Sequence, residues 1–383
     1  MLCPAVPMLL TARTMIASPA IRAIGIVLHD FPLGGTERIA LRLARAWSER
    51  GIAVTVFVGE DKGPLRDMVS PGVRLVRADP ALPRGRASRD RLGAAAAVHF
   101  SREPVDGIFV PGNFHWEIVP ALARIPQRPA IVVQISSPLR MQPRGWLRQI
   151  GFEWRMRRLL RDADALVAMG ALHKAQAEAV MGRAMATIIP LPALDDDRPT
   201  GPASGKTVVA AGRLIHQKGF DLLIDAFARL DDPEARLVIA GSGPEEAALA
   251  RRIATHGLGE RVRLAGFAPD IRPLLAEARL FAMASRFEGY GAVIVEALGA
   301  GRPVIATAST PAADDVLGEA ERGIVVPVED VGALADAMRT LLDRPAPEPD
   351  RLAAAVDGYR IDAGAAAYLA CFQRALAARK KAH

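Results

Sequence analysis

The stretch SRFEGYGAVIVEALGAGRPVIAT, which runs from Ser285 to Thr307, is the most informative part of this 383-residue chain. An apolar run ends near Ser285, a glycine-rich loop follows, and a helix is predicted to begin near Gly291. A helix that starts from such a loop presents unpaired backbone N–H groups and the positive end of its dipole. The stretch therefore predicts a binding site for a phosphate or for sugar hydroxyls.

Two carboxylates frame this predicted site. Glu288 lies just before the helix start, and Glu296 lies inside the helix beside the apolar residues Val295 and Ala297. A carboxylate with apolar neighbours needs a polar partner, so the two acids suit two parts of one extended ligand. From the residues alone, it is equally plausible that Glu288 is an ordinary turn residue and that Glu296 is a solvated charge on the helix.

Strand-like and helix-like segments alternate along the rest of the chain, which predicts a parallel α/β architecture. The segment Leu191–Lys206 interrupts this alternation with three prolines and the acidic run 195–197, which we expect to be a solvated linker. We predict two doubly wound parallel sheets, in residues 1–195 and 196–362, with a last helix at about 363–383 packing back on the first domain. Ligands bind beyond the carboxyl ends of such strands, so facing sheets would grip a ligand between them.

The composition limits the partners of the protein. The formal net charge is +7, which favours anionic partners such as nucleoside diphosphates or lipid head groups. The cysteines, Cys3 and Cys371, and the seven scattered histidines have no metal-ligand spacing. We therefore expect no metal site, no disulfide framework and a reducing, cytoplasmic location.

The first twenty residues resemble a weak signal peptide, but no positive charge precedes their short apolar run. The next apolar run, Ile21–Leu28, fits a first strand better, and Met8 and Met15 are alternative starts of the protein. Because no uninterrupted run of about 20 apolar residues exists, no transmembrane helix is expected.

A second motif, Ala211–Gly219, follows one predicted strand and precedes a predicted helix. Arg213 and Lys218 are five positions apart in its loop, so both cations can point into the cleft. Two fixed cations stabilise the negative charge that develops on a leaving diphosphate. Two solvated charges would explain the same residues, and His216 between them is expected to be a bystander.

The first half contains a glycine pair, Gly34-Gly35, after its first predicted strand, and Thr36 is expected to cap the following helix. Glycines let backbone N–H groups approach a phosphate closely. The single pair differs from the G-x-G-x-x-G pattern of dinucleotide-binding loops, which disfavours a nicotinamide cofactor.

His115 follows another predicted strand of the first half. Asn113 and Glu117 lie beside it and are candidate contacts for an acceptor substrate. A loop histidine that meets a helix end is an equally ordinary explanation of the same position.

Together these motifs resemble those of a known enzyme family. The pattern S-R-x-E-G-x-G-x4-E-A-x3-G-x-P-V-I in residues 285–305 is similar to the E-x7-E signature of GT4-type retaining glycosyltransferases (glycosyltransferase group 1) of GT-B fold. The G-R-L-x3-K-G motif at 212–219, the G-x-G-P turn at 241–244 and the G-F pair at 266–267 resemble further motifs of that family, in the same order. The resemblance is close over about Thr207–Val326 and loose in the first half.

The resemblance implies two Rossmann-like domains that face each other across a cleft, with the acceptor side in the first and the donor site in the second. It implies that Glu288 and the loop after it hold the donor sugar and that Glu296 holds the ribose hydroxyls. Arg213 and Lys218 would bind the diphosphate. The family often has an Asn-Gly turn at the domain hinge, and the stretch Pro190–Asp195 lacks that asparagine, which leaves the hinge geometry open.

In the first half, the resemblance implies that the glycine pair closes over the donor diphosphate and that His115 contacts the sugar near its reacting carbon. The pair at 266–267 would line the base. The implied catalytic residues are Glu288, Arg213, Lys218 and His115, and the implied donor-binding residues are Gly34, Gly35, Gly266, Phe267, Gly289, Tyr290, Gly291 and Glu296.

The implied function is transfer of a sugar from a nucleoside diphosphate donor to a hydroxyl of a glycan or lipid-linked acceptor, in synthesis of cell-surface polysaccharide or glycolipid. Such a hexosyltransferase-type enzyme would retain the anomeric configuration and need no cofactor and no metal. A non-catalytic nucleotide-sugar-binding protein and a sugar-nucleotide epimerase or phosphorylase of the same fold are the alternatives.

The segment Leu139–Arg161 carries seven arginines and one acid, Glu153. One predicted helical face collects its large apolar residues, namely Trp146, Leu147, Ile150 and Trp154. We interpret Arg140–Arg161 as a candidate surface for docking on an anionic membrane leaflet, with the protein peripheral on the inner face. A solvated face of a packed helix explains the segment equally well. Nucleic acid is disfavoured as a partner, because no stacking-aromatic motif accompanies the arginines.

Overall fold

The computed structural model describes residues 21–139, 146–195, 197, 199–202 and 205–382. Several features of the sequence analysis lie outside the described residues, namely the leader-like segment 1–20 with Cys3, Arg140 and Arg144 of the basic segment, and Asp196 of the acidic run. Helices and strands alternate through the described chain.

The first structural unit is a parallel sheet with helices beside it. Its strands are β1 (Ala23–Leu28), β2 (Ala53–Val58), β3 (Arg74–Arg77), β4 (Gly107–Val110), β5 (Ala130–Ile135), β6 (Ala165–Ala168) and β7 (Ala186–Ile188). Its helices are α1 (Gly35–Glu49), α2 (Ser88–Arg102), α3 (Val119–Leu122), α4 (Trp146–Leu160) and α5 (Ala171–Met181). The strand order is β3-β2-β1-β4-β5-β6-β7. Every residue of β5 is buried, because helices cover both faces of the sheet.

The second unit repeats this plan. Its strands are β8 (Thr207–Ala211), β9 (Arg236–Ala240), β10 (Val262–Gly266), β11 (Leu280–Met283), β12 (Val304–Thr307) and β13 (Gly323–Val326). Its helices are α6 (Phe220–Phe227), α7 (Glu246–Thr255), α8 (Arg272–Glu277), α9 (Ala292–Gly299), α10 (Pro311–Val316), α11 (Val331–Asp343) and α12 (Pro349–Ala354). The strand order is β10-β9-β8-β11-β12-β13, and the described strands are paired in parallel.

Two sheets of this kind confirm the predicted α/β fold with doubly wound parallel sheets. In each sheet the strand order reverses between two central strands, β1 and β4 in the first and β8 and β11 in the second. The loops that leave these strands at their carboxyl ends flank a crevice, which is where open α/β sheets bind ligands.

The start of α1 differs from the prediction. The sequence predicts Thr36 as the cap of this helix, and that prediction is wrong: Gly34 is the N-cap residue and Thr36 lies in the first turn. The reason is that the extended backbone of Gly34 already ends the preceding loop, so the helix begins at Gly35.

The last helix, α13 (Ile361–Ala382), leaves the second unit and lies against the first. The indole Nε1 of Trp47 in α1 donates a hydrogen bond of 3.1 Å to the Ala365 carbonyl. The chain crosses between the units beside Leu194 and again beside Ile361. These crossings are bonded to each other, with Leu194 N 3.0 Å from the Tyr359 carbonyl and Ile361 N 2.7 Å from the Leu194 carbonyl. Within the described residues, no helix is both long and apolar enough to cross a membrane.

Candidate active site

Several of the predicted site residues lie on loops that leave the four central strands at their carboxyl ends. Strand β1 leads to Gly34-Gly35, β4 to His115, β8 to Arg213 and Lys218, and β11 to Glu288. The structure therefore brings these predicted residues to the crevice between the two sheets, although they are up to 254 positions apart in the chain.

Glu288 and Lys218 are bonded to each other in this crevice. The Lys218 ammonium donates to Glu288 Oε1, and Ser285 Oγ donates to the same oxygen at 2.7 Å. Glu288 is only 7% exposed, so these bonds supply the polar partners that a buried carboxylate needs. Its second oxygen, Oε2, has no partner within the described part of the chain. That oxygen can accept a hydrogen bond from a ligand hydroxyl.

Arg286 holds the two motif loops together, a role that the sequence analysis missed. Its guanidinium donates to both carboxylate oxygens of Asp221, at 2.8 and 2.7 Å, and to the His216 carbonyl at 2.8 Å. The hydrogen bonds to Asp221 raise the pKa of the Arg286 guanidinium. Gln217 Nε2 also donates to the Phe287 carbonyl, at 2.8 Å. The signal for this role in the sequence is the arginine of the S-R-x-E pattern.

Arg213 and Lys218 differ in their surroundings. Arg213 is exposed and makes no ion pair or side-chain hydrogen bond with any described residue. Lys218 is half-buried and followed by Gly219, whose φ is +64°. A Cβ on Gly219 would lie 2.0 Å from the Ala284 carbonyl oxygen, so only glycine lets this loop approach β11 so closely. Of these two cations, Lys218 is thus already paired, and Arg213 has no partner among the described residues and can bind an anion.

The residues Gly289, Tyr290 and Gly291 lead into α9, as predicted, and the side chain of Tyr290 is buried. Its phenol oxygen lies 3.1 Å from that of Tyr359, and its carbonyl accepts a hydrogen bond of 2.9 Å from Thr310 Oγ1. Burial raises the pKa of Tyr290. The tyrosine side chain therefore anchors the loop, and contacts from this position to a donor would come from the backbone. Gly291 is the N-cap residue of α9, in the left-handed conformation with φ of +82°.

Glu296, in α9, is half-buried and faces α1 of the first unit. Burial raises the pKa of Glu296, while the positive charges of Arg42 and Arg38 oppose that rise. The carboxylate makes no hydrogen bond to other residues that the structure describes. It is therefore available to accept hydrogen bonds from a ligand that lies between α9 and α1.

Gly266 and Phe267 lie at the carboxyl end of β10. Gly266 has a φ of +72°, and its carbonyl accepts a hydrogen bond of 2.7 Å from Gly241 N in the neighbouring loop. The ring of Phe267 is exposed. An exposed aromatic ring in this place can stack on a planar group such as a nucleobase.

The glycine pair in the first unit has one crowded and one open position. A Cβ on Gly34 would lie 2.3 Å from Glu37 Oε2, whereas a Cβ on Gly35 would meet nothing within 4 Å. Burial raises the pKa of Glu37, and Arg84 opposes that rise from 3.8 Å. The Gly35 side of the α1 N-terminus leaves room for an anion.

His115 is completely buried in a 3₁₀ helix, Asn113–Ile118. Its Nδ1 lies 2.7 Å from the Pro111 carbonyl oxygen, so Nδ1 carries the proton and donates it. Its Nε2 has no partner among the described residues. Burial lowers the pKa of His115 to about 4, so the ring is neutral at neutral pH and Nε2 is an acceptor.

Asn113 and Glu117, the candidate acceptor contacts, are both engaged with other residues of the protein. Asn113 Oδ1 accepts from Ser136 N at 2.8 Å, and its Nδ2 donates to the Ser137 carbonyl at 3.2 Å. Glu117 forms ion pairs with Arg155 and, at 2.5 Å, with Arg89. These partners could not be predicted from the neighbouring sequence, because they belong to other elements of the fold.

Ser136 and Ser137, which were not predicted from the sequence, face the loop of Gly289 across the crevice. A Cβ on Gly289 would lie 3.1 Å from both the Ser136 carbonyl oxygen and Ser137 Oγ. The signal that marks these serines is their place directly after the buried apolar strand β5. The two units therefore meet at the level of the predicted site.

The acidic run at the boundary does not behave entirely as a solvated linker. Asp195 is paired with Arg45 at 2.7 Å and with Arg42 at 3.3 Å, both in α1. Asp197 is paired with Arg272. In the described parts of the chain, no three His, Cys, Asp or Glu side chains come together as metal ligands.

Comparison with known proteins agrees with this geometry. Residues 195–357 match the family described as Glycosyl transferases group 1, and residues 34–194 match the family described as Glycosyl transferase 4-like domain. The two matches adjoin and together cover both units. The chain belongs to the GT4-type, group 1 family of glycosyltransferases.

Individual relatives carry related names. The lipopolysaccharide core biosynthesis glycosyltransferase LpsE of Rhizobium meliloti (strain 1021) is 35% identical over 150 residues, which cover 39% of this chain and 43% of that protein. The phosphatidyl-myo-inositol mannosyltransferase of Mycobacterium leprae (strain TN) is 29% identical over 330 residues, which cover 82% of this chain and 84% of that protein. The chain thus spans less than half of the length of the Rhizobium relative.

Solved structures share the architecture. The crystal structure of Anabaena HepE in complex with UDP and glucose superimposes with a TM-score of 0.67 and 20% identity, covering 94% of this chain and 100% of that one. At this identity the likeness establishes the GT-B fold.

Proposed function

We propose that this protein is an enzyme that transfers a sugar from a nucleoside diphosphate donor to a hydroxyl of a glycan or lipid-linked acceptor, in the synthesis of cell-surface polysaccharide or glycolipid. The observation that carries the proposal is the arrangement of Arg213, Lys218 and Glu288 beside the start of α9. It provides two cations for a diphosphate and a carboxylate oxygen for the attached sugar. The names of the two relatives support the acceptor class, and the UDP and glucose in the HepE complex support the donor class.

In the proposed reaction, the bond between the anomeric carbon and the β-phosphate oxygen breaks. The acceptor hydroxyl oxygen bonds to the same face of that carbon, and its proton passes to the departing diphosphate, so the configuration is retained. Arg213, Lys218 and the α9 N-terminus stabilise the charge that grows on the diphosphate. Because these groups balance that charge, we propose that no divalent cation is required, and we expect the rate to be unchanged by a chelator.

The other residues would position the donor. Glu288 Oε2 accepts a hydrogen bond from a sugar hydroxyl, and Glu296 accepts them from the ribose. His115 Nε2, which is completely buried, accepts one from the sugar only once the residues that cover the ring have moved aside. Phe267 stacks on the base, and the backbone at Gly35 donates to the diphosphate. The proposed place of action is the cytoplasm, at the inner face of a membrane that carries the acceptor.

The test begins with a thermal-shift screen of the purified protein against UDP-, GDP-, ADP- and dTDP-sugars, because a cognate donor stabilises the folded form. Turnover with the stabilising donor is then compared between wild type, Arg213→Ala and Arg251→Ala. Arg251 is an exposed arginine on α7, outside the crevice, and serves as the matched control.

We expect Arg213→Ala to lower kcat/KM by about 100-fold and Arg251→Ala to leave it unchanged. Equal rates in all three proteins would overturn the assignment of Arg213. Donor binding without hydrolysis or transfer would instead favour a non-catalytic nucleotide-sugar-binding protein.

A further inference from the structure

Helix α4 exposes a stripe of three large apolar side chains. Trp146 is 72% exposed, Ile150 57% and Trp154 64%. Their spacing of four residues places them above one another on a single helix face. A different face, with Met156 and Leu160, packs into the core of the first unit. The stripe therefore contributes nothing to the core, and contiguous apolar surface of this kind marks an interaction site.

Arginines continue the same exposed side of the helix toward its C-terminal end. Arg157, Arg158 and Arg161 are exposed, and their spacing from Trp154 places them along the stripe. The Arg158 guanidinium lies 5.9 Å from the centre of the Trp154 ring. Arg183, also exposed, donates to the Arg161 carbonyl at 3.3 Å. Arg157, Arg158 and Arg161 therefore form a cationic end of the apolar stripe.

We propose that α4 is a docking surface for an anionic phospholipid bilayer. Trp146, Ile150 and Trp154 insert at the level of the head groups, where tryptophan side chains are favoured, and the arginines bind lipid phosphates. The apolar stripe complements the apolar interior of such a bilayer, and the cationic end complements its anionic head groups. A second copy of the chain fits less well, because it would bring two sets of arginines into one interface.

Helix α4 lies beside the crevice, so a bilayer docked on it would be close to the proposed site. Arg155 of α4 is paired with Glu117, which lies in the same 3₁₀ helix as His115. Helix α4 follows β5, and the serines at the carboxyl end of β5 face Gly289. A bilayer bound to α4 therefore lies on the side of the first unit that borders the crevice. The docking surface itself is independent of the proposed reaction, and only the delivery of a lipid-linked acceptor rests on it.

The experiment uses the full chain and vesicles of phosphatidylcholine with or without phosphatidylglycerol. The sequence has four tryptophans, of which Trp47 and Trp116 are buried while Trp146 and Trp154 are exposed. A change of tryptophan emission on mixing therefore reports on α4. We expect a blue shift and co-sedimentation with the phosphatidylglycerol vesicles, weakened by added salt.

The decisive variant replaces the stripe by Trp146→Ser, Ile150→Ser and Trp154→Ser, and its control is Val98→Ser with Val328→Ser at exposed positions outside α4. We expect the stripe variant to lose about tenfold or more in vesicle affinity and the control to lose none. In a separate variant, Arg158→Glu with Arg161→Glu removes the preference for anionic vesicles. Melting temperatures close to that of the wild type would show that the variants fold.

Wild-type affinity in the stripe variant, or absence of binding by the wild type, would overturn the proposal. So would self-association of the wild type that the stripe variant lacks, in the absence of vesicle binding, since a second copy would then cover α4. Donor-dependent thermal shifts are expected to be the same in all these proteins. A failure of docking is therefore distinguishable from a failure of the proposed sugar transfer.

Discussion

Lys218 and Glu288 are 70 positions apart in the chain and form one ion pair in the crevice between the units. Ser285 Oγ also donates a hydrogen bond to the Glu288 carboxylate, at 2.7 Å. The lysine therefore supplies the opposite charge for a carboxylate that is almost entirely buried. Because each residue is the partner of the other, substitutions of the two are expected to have non-additive effects on kcat/KM.

We expect Lys218→Met and Glu288→Gln each to lower kcat/KM by about 100-fold. The double variant is expected to lower kcat/KM by much less than the product of the two single losses. The reason is that each single change already disrupts the pair. Steady-state kinetics of the four proteins give the coupling energy, for which we expect about 1–3 kcal/mol. Ser285→Ala is the control, with a smaller effect, and losses that multiply would contradict the coupling.

This ion pair illustrates how far the sequence could be used for prediction. The strands, the crevice loops and the residues Arg213, Lys218, Glu288 and Glu296 followed from local patterns and from order along the chain. The bond between Lys218 and Glu288 did not, because it depends on the pairing of β8 with β11. Two other features also depend on contacts between distant elements and were not predictable. Asn113 is hydrogen-bonded to the serines after β5, and the Tyr290 side chain is buried against Tyr359.

Gly35 offers a test of the first unit. A Cβ at this position meets nothing within 4 Å, so Gly35→Ala is expected to leave the free energy of unfolding unchanged or to raise it by about 0.4–1 kcal/mol. The added methyl group would however occupy the open side of the α1 N-terminus. We expect donor affinity, measured by calorimetry, to fall by about tenfold. Gly259→Ala, which is equally open but lies outside the crevice, is the control, and equal donor affinity in both variants would contradict a diphosphate at Gly35.

His115 makes a prediction about pH. Its pKa is lowered by burial from the usual 6.5 to about 4, so the unfolded chain binds the proton more readily than the folded one. Its contribution to stability is therefore fully present above pH 6.5 and is lost as the pH falls from 6.5 to 4, by about 3 kcal/mol in total. Urea unfolding between pH 7 and pH 4.5 measures this loss.

Burial lowers the pKa of His29 and His173 as well, so they add to the same loss of stability. The comparison with His115→Gln isolates the contribution of His115. We expect the variant to lose less stability than the wild type over this range, and parallel curves for the two proteins would show that His115 does not titrate in this way.

Gly289 tests the contact between the units. A Cβ there would lie 3.1 Å from the Ser136 carbonyl oxygen, which is tight enough to move the two units slightly apart. Because most of the proposed donor contacts lie in the second unit, we expect Gly289→Ala to retain donor affinity and to lower kcat by about tenfold. Gly318→Ala, whose Cβ would be at an ordinary 3.6 Å from its neighbour, is the control. A variant with an unchanged kcat would show that this contact does not position the reactants.

The return of α13 to the first unit bears on how the protein matures during synthesis. The residues of the second unit are contiguous, so all of them are synthesised before α13. The first unit, although made earlier, still lacks the helix that binds Trp47 from 318 positions further along the chain. Contacts of such long sequence separation form late. The first unit therefore completes its packing only after the last helix of the chain has been made.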